Sequence, residues 1–275
     1  MGSLLARYKR LFACVFLLPM IVLTACGNRG ESMIIIAGST SVQPYAEILA
    51  EEFEHDHPDS EIDIQGGGSS AGITAAETGT ADFGMSSRAL KESESGLWSI
   101  EIAKDGLAVI IHPKNPITGL TLEQIRDIYA ENIVNWSELG GQDAKIHIIA
   151  REEGSGTRSA FEELVMGGGQ PITPRAIVQD SNGAVRQLVC DDVNSIGFIS
   201  LGLVDASVKA LMLDGIEATR ENIINGSYSL FRPFLLVAES APTGFALRFI
   251  DYILSEEGQR LLIHEGLIPE KGYEE

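Results

Sequence analysis

The chain has 275 residues, 44% of them hydrophobic and 21% charged, a globular composition that excludes wholesale disorder and fibrous repeats. That length suits one large domain or two smaller ones, each able to bury a core. Lys and Arg number 20 against 39 Asp and Glu, and the resulting net charge of -19 argues against general nucleic-acid binding, which needs a basic surface.

The chain opens as a targeting segment. Arg7, Lys9 and Arg10 form a basic stretch, and residues 11–23 are almost purely apolar. The run is short for a transmembrane helix and fits a signal peptide. Leu23-Thr24-Ala25-Cys26 resembles the bacterial lipobox, which implies cleavage after residue 25 and palmitoyl-type acylation of Cys26. Losing residues 1–25 removes three bases and no acid, so the net charge becomes -22. Of the three cysteines only Cys190 then remains unmodified, which excludes an internal disulfide and a cysteine zinc site. Its apolar run, Leu188-Val189-Cys190, predicts a small buried residue.

Residues 26–32 read as a polar tether, and the β-branched run 33–37 as a buried strand. Tyr45, Ile48, Leu49 and Phe53 recur at helical spacing over 44–54. Ile62 and Ile64 mark a strand, 71–78 a helix, and 107–111 a second buried strand. Thr121 and Gln124 form a capping box ahead of Ile125 and Tyr129. Ile146, Ile148 and Ile149 mark a strand, with Phe161, Leu164 and Val165 on the helix after it. Strands follow at 196–199 and 234–237, a helix at 245–254, and continued helical structure at 261–263. Alternating strands and helices predict α/β layers with mostly parallel sheets. Residues 167–169, with Pro171 and Pro174, read as a surface loop.

The informative pattern is a recurrence. The first strand runs into Gly38-Ser39-Thr40-Ser41, the second into residues 66–72 (GGGSSAG), and the strand ending at Ala150 into 151–157 (REEGSGT). Each small polar loop lies between a strand's carboxyl end and a helix's amino end, where open α/β sheets bind ligands. Helix N-termini offer free N–H groups, serine and threonine add hydroxyl donors, and Arg151 adds a permanent planar charge. That set suits an oxyanion. Serine and threonine also serve as plain N-caps, but three such loops with an arginine point beyond capping.

Other motifs are weaker. Gly66, Gly68 and Ala71 match part of a dinucleotide fingerprint without its downstream acid, and no Walker lysine is present. Residues 68–72 match a G-x-S-x-G elbow, which would make Ser70 the nucleophile of a secreted serine hydrolase with His112, His147 or His264 as base. No histidine has metal-ligand company, and no cofactor is implied.

Taken in order, residues 33–44 (MIIIAGSTSVQP), 65–74 (QGGGSSAGIT), 81–88 (ADFGMSSR), Asn135-Trp136 with Leu139, 151–157 and 195–200 (SIGFIS) resemble the phosphate-binding proteins of bacterial phosphate importers, in their short lipoprotein form. The resemblance spans roughly 33–269. It implies a class II periplasmic-binding-protein-like α/β fold with two lobes, 33–111 plus 231–275 and 112–230, joined by a two-strand hinge near Ile110 and residues 231–235. It implies no catalysis but capture of inorganic phosphate by a monomer. The protein would be lipid-anchored on the extracytoplasmic face of the cell membrane and would deliver its cargo to the transmembrane subunits of an ABC permease. Carried over by position, the ligands are Ser39, Thr40, Ser41, Ser69, Arg151, Ser155, Gly156 and Thr157, with Glu153 holding the arginine. Ser87 stands where the long form has an aspartate that accepts the phosphate proton, so sulfate, molybdate or a phosphonate is an alternative cargo. Arg88 either reaches the anion or pairs with an acid.

Overall fold

The computed structural model describes residues 32–269 apart from residue 168. The signal peptide, the lipobox with Cys26 and nearly all of the tether lie outside them.

The first part of the chain forms β1 (Met33–Gly38), α1 (Gln43–Asp56), β2 (Glu61–Gly66), α2 (Ser69–Glu77), β3 (Phe83–Ser86) and β4 (Trp98–Ile111). The middle forms β5 (Gly119–Leu120), α3 (Leu122–Tyr129), β6 (His147–Arg151), α4 (Gly156–Leu164), β7 (Ile177–Gln179), α5 (Asn182–Asp191) and β8 (Ser195–Ser200). Then come β9 (Lys209–Ala210), β10 (Met212–Leu213), α6 (Arg220–Ile224), β11 (Phe231–Ala238), α7 (Gly244–Ile253), α8 (Glu256–His264) and β12 (Ile268–Pro269). The Thr121 box caps α3 as the sequence predicts: its hydroxyl accepts from Gln124 N and Gln124 Oε1 accepts from Thr121 N.

The main sheet runs β2-β1-β3-β11-β4-β8-β6-β7. Its two ends are parallel: β1 with β2 and β3, and β6 with β7 and β8. The middle is antiparallel, because β11 and β4 run against each other and against their outer neighbours. The expected strand at 107–111 is the second half of a 14-residue strand that starts at Trp98. Its first half (WSIEIAKD) mixes charge with apolar residues, which hid it from a search for apolar runs.

Apolar side chains segregate into two main cores. One gathers Ile34, Ile36, Leu49, Phe53 and Phe83 with Ile102, Phe234 and Phe249. The other gathers Leu107, Val109 and Ile111 with Tyr129, Phe161, Phe198 and Leu230. β4 thus crosses from one core to the other within a few residues, while β11 contributes Phe234 and Leu236 to the first core and begins just after Leu230 of the second. Side chains alternate across the sheet, so Ala108 and Ile110 face a third cluster under α5, while Leu235 and Val237 face a fourth beside Ile73 of α2. Strands buried on both faces read as unbroken apolar runs, which is why 107–111 was legible. Phe161 stacks on Phe198 with ring centroids 4.1 Å apart. Cys190 packs against the third cluster but is only half-buried, because it lies on the partly exposed side of α5.

The helix α2 lies against β1 and β3 through glycine. A methyl at Gly72 would strike the Ala37 carbonyl and sit 2.6 Å from Gly38 Cα and 3.0 Å from Met85 O, all backbone atoms that cannot swing aside. Gly72→Ala should therefore destabilise the protein by about 1–3 kcal/mol in urea unfolding. Gly96→Ala, with nothing within 4 Å, should change stability by no more than about 0.5 kcal/mol.

Candidate functional site

The three small polar loops do converge. Ser39 and Ser41 precede α1, Ser69 opens α2, and Ser155 caps α4 by accepting from Arg158 N. Ser39 Oγ donates to Ser87 Oγ at 2.9 Å, and Ser69 Oγ lies 3.3 Å from the same oxygen. Ser87 N donates to Ser69 Oγ at 3.0 Å. All three serines are buried, and no carboxylate joins their hydroxyls. Gly156 abuts them: a Cβ there would collide with Ser69 Oγ and sit 2.5 Å from Ser87 Oγ. Ser70 N donates to the Gly154 carbonyl at 3.0 Å, tying the second loop to the third.

A fourth loop, between β7 and α5, joins them. Asn182 Nδ2 donates to Ser41 Oγ at 2.8 Å, and Arg232 Nη2 donates to the same oxygen at 3.1 Å. With two donors filling its lone pairs, Ser41 directs its own hydrogen to Thr157 Oγ1, 2.7 Å away.

Arg151 is 1% exposed. Its Nε and Nη2 donate to Glu152 at 2.9 Å each, and Nη2 also reaches Thr40 Oγ1 at 3.2 Å and the Asp180 carbonyl at 3.0 Å. Its Nη1 is buried and has no partner. Such a donor is costly to leave unmet, and a bound anion is the group that would meet it.

The comparisons with known proteins follow the same line. The PBP superfamily domain matches residues 24–257. The phosphate-binding protein PstS of Bacillus subtilis is 30% identical over 272 residues, covering 91% of this chain and 90% of that one. This chain belongs to that family. A Clostridium perfringens structure, described as a phosphate ABC transporter substrate-binding protein with bound phosphate, is 48% identical, covers 87% of this chain and 100% of its own, and superposes with a TM-score of 0.84. An ABC-type phosphate transport receptor from Vibrio cholerae is 40% identical, with 86% and 100% coverage and a TM-score of 0.72. The fold is the two-lobe α/β architecture of these phosphate-binding proteins.

Of the residues carried over from the family, Ser39, Thr40, Ser41, Ser69, Ser87, Arg151, Ser155, Gly156 and Thr157 fall within this one cluster. One supporting assignment needs correction, and the alternative left open for Arg88 resolves to an acid. Glu152, not Glu153, holds Arg151; Glu153 is exposed, because the turn after β6 points it outward. Arg88 turns away to an acid, donating to both oxygens of Glu94 at 2.7 and 2.8 Å. The hydrolase alternative finds no support in the hydrogen bonds. His147 pairs with Asp192, His264 with Glu265, and His112 Nδ1 accepts from Lys114 N. Among the described residues no group of three or more His, Cys, Asp or Glu is placed to hold a metal ion.

Sequence reasoning missed Asn182 and Arg232. Ser181 before Asn182 is an N-cap that could have revealed the fourth loop, but β7 is only three residues long and gave no strand signal. Arg232 interrupts an otherwise apolar strand, a signal in itself, since a charge there needs a buried partner. That partner is Asp105, 1% exposed and directly opposite in the β4–β11 register. Burial pushes the Asp105 carboxyl up and the Arg232 guanidinium down, and their mutual attraction opposes both shifts.

The hydrogen bonds from Arg88 hold the Glu94 carboxyl below its ordinary value of 4.5. A depressed carboxylate contributes stability above that value and loses it as pH falls through the folded one. Glu94→Gln should lower the thermal midpoint at neutral pH, and the gap to the parent should close as pH drops below about 4.5. A gap that persists unchanged into acid would contradict the ion pair.

Proposed function

We propose that this chain is an extracytoplasmic solute-binding protein that traps inorganic phosphate between two lobes and delivers it to an ABC-type permease. It does no chemistry on its cargo. The observation that carries this reading is the buried, unpartnered Nη1 of Arg151 beside hydroxyls and helix N-termini gathered from separate loops. The Clostridium perfringens relative, solved with phosphate, supports the choice of anion.

Ser39, Thr40, Ser41, Ser69 and Ser87 would bind from one side, and Arg151, Ser155, Gly156 and Thr157 from the other. One charge–charge contact at about 4 Å is worth roughly 4 kcal/mol at an effective dielectric near 20, before desolvation. The lobes would be 33–111 with 231–275, and 112–230, hinged where β4 passes between cores and β11 begins. Contacts such as Ser41 to Thr157 would then form on closure and signal occupancy to the permease. Residues 1–25 would be removed as a signal peptide, and Cys26 would carry the acyl anchor. Among the described residues no helix is long and apolar enough to cross a membrane.

Ser87 favours a second reading, a trap for a wider set of oxyanions. A carboxylate accepts the phosphate proton and repels fully ionised sulfate, whereas a hydroxyl accepts or donates. Arg151→Ala tests the phosphate reading. Glu152 is 32% exposed and can hydrate once its partner is gone, so the variant should fold. Calorimetry should show phosphate affinity reduced by about 100-fold or more, and unchanged affinity would remove this reading.

A further inference from the structure

Arg151 is not the only arginine buried at this site. Arg232 is 3% exposed and comes from β11, the antiparallel partner of β4, which crosses between cores. Its Nε and Nη2 both donate to a single oxygen of Asp105, at 3.1 and 2.9 Å. The other Asp105 oxygen accepts from Ser200 Oγ at 2.7 Å. Nη2 also reaches Ser41 Oγ, the hydroxyl that Asn182 and Thr157 share. Its Nη1 is buried without a partner, as is that of Arg151.

The two guanidinium groups are built alike. Each places Nε and Nη2 on a carboxylate and leaves Nη1 unspent. They are close enough that the charge of Arg151 pushes the Arg232 guanidinium pKa further down. Asp105 braces Arg232 as Glu152 braces Arg151. If Arg232 served only to neutralise Asp105, its remaining amino group would have no reason to be buried, unmet and beside a second cation.

We propose that Arg232 is a second anion-binding arginine, so that the site takes a doubly charged oxyanion held between two guanidinium groups. This rests on the phosphate reading above. The second charge also gives the hinge strands a direct contact with the cargo, so binding draws β11 and the Ser41 loop together. Two cations with no carboxylate among the serines favour the dianion. Phosphate affinity should therefore rise with pH through the second ionisation of phosphate, near neutrality.

The test compares the parent with Arg232→Gln/Asp105→Asn, which keeps a neutral hydrogen-bonded pair and strands no charge. Circular dichroism and thermal melting establish that it folds. Phosphate affinity should fall by about 10- to 100-fold, because the guanidinium donors to the anion are lost. A folded double variant that binds phosphate within threefold of the parent, with the same pH profile, overturns the proposal. Should that variant not fold, Arg232→Lys keeps the charge on Asp105 but lacks the planar fork, and should cost about 10-fold. Full affinity in Arg232→Lys overturns it equally. A parent chain that binds no phosphate would instead remove the phosphate reading itself.

Discussion

Asp105 and Arg232 face each other across β4 and β11 at the point where β4 passes from one core to the other and β11 begins. An ion pair removed from water survives only when its remaining donors and acceptors are met, and breaking one partner typically costs about 3–5 kcal/mol. Here Ser200 meets the second carboxylate oxygen, and Ser41 meets one guanidinium nitrogen. Those contacts fix the Ser41 loop and the end of β8 relative to the crossing strands. The anion cluster depends on that frame, since Ser41 is also where Asn182 and Thr157 converge.

A strongly acidic chain can still offer an anion site, because local donors, not net charge, set the potential inside a buried site. Arg151 and Arg232 are each braced by a carboxylate, and each keeps one buried nitrogen without a partner. What is left to attract an anion is the set of unmet N–H groups and the helix N-termini of α1, α2, α4 and α5. Closed packing, shown by Gly156 against Ser69 and Ser87, excludes water and strengthens each of those hydrogen bonds.

The strand-to-helix loops were legible because glycine, serine and threonine at the end of a β-branched run form a local pattern. Helix boundaries followed from caps such as Thr121, and the lone Arg151 stood out within its loop. Three features were not local. The antiparallel crossing of β4 and β11 pairs residues more than 120 positions apart, and β4's charged first half broke the apolar signal. The arginine's acid was misassigned by one position, since a turn decides which of two adjacent glutamates faces inward. Asn182 and Arg232 gain their meaning only from contact with Ser41, across 141 and 191 residues of chain.

The account rests on one claim, that this buried cluster binds phosphate. It is tested most directly by calorimetric titration of the chain from Asn28 onward, freed of bound anion by partial unfolding and refolding. The account predicts tight one-to-one binding of phosphate, and a following titration with sulfate shows whether the serine hydroxyls, which donate as readily as they accept, admit other oxyanions. No binding of phosphate would contradict it.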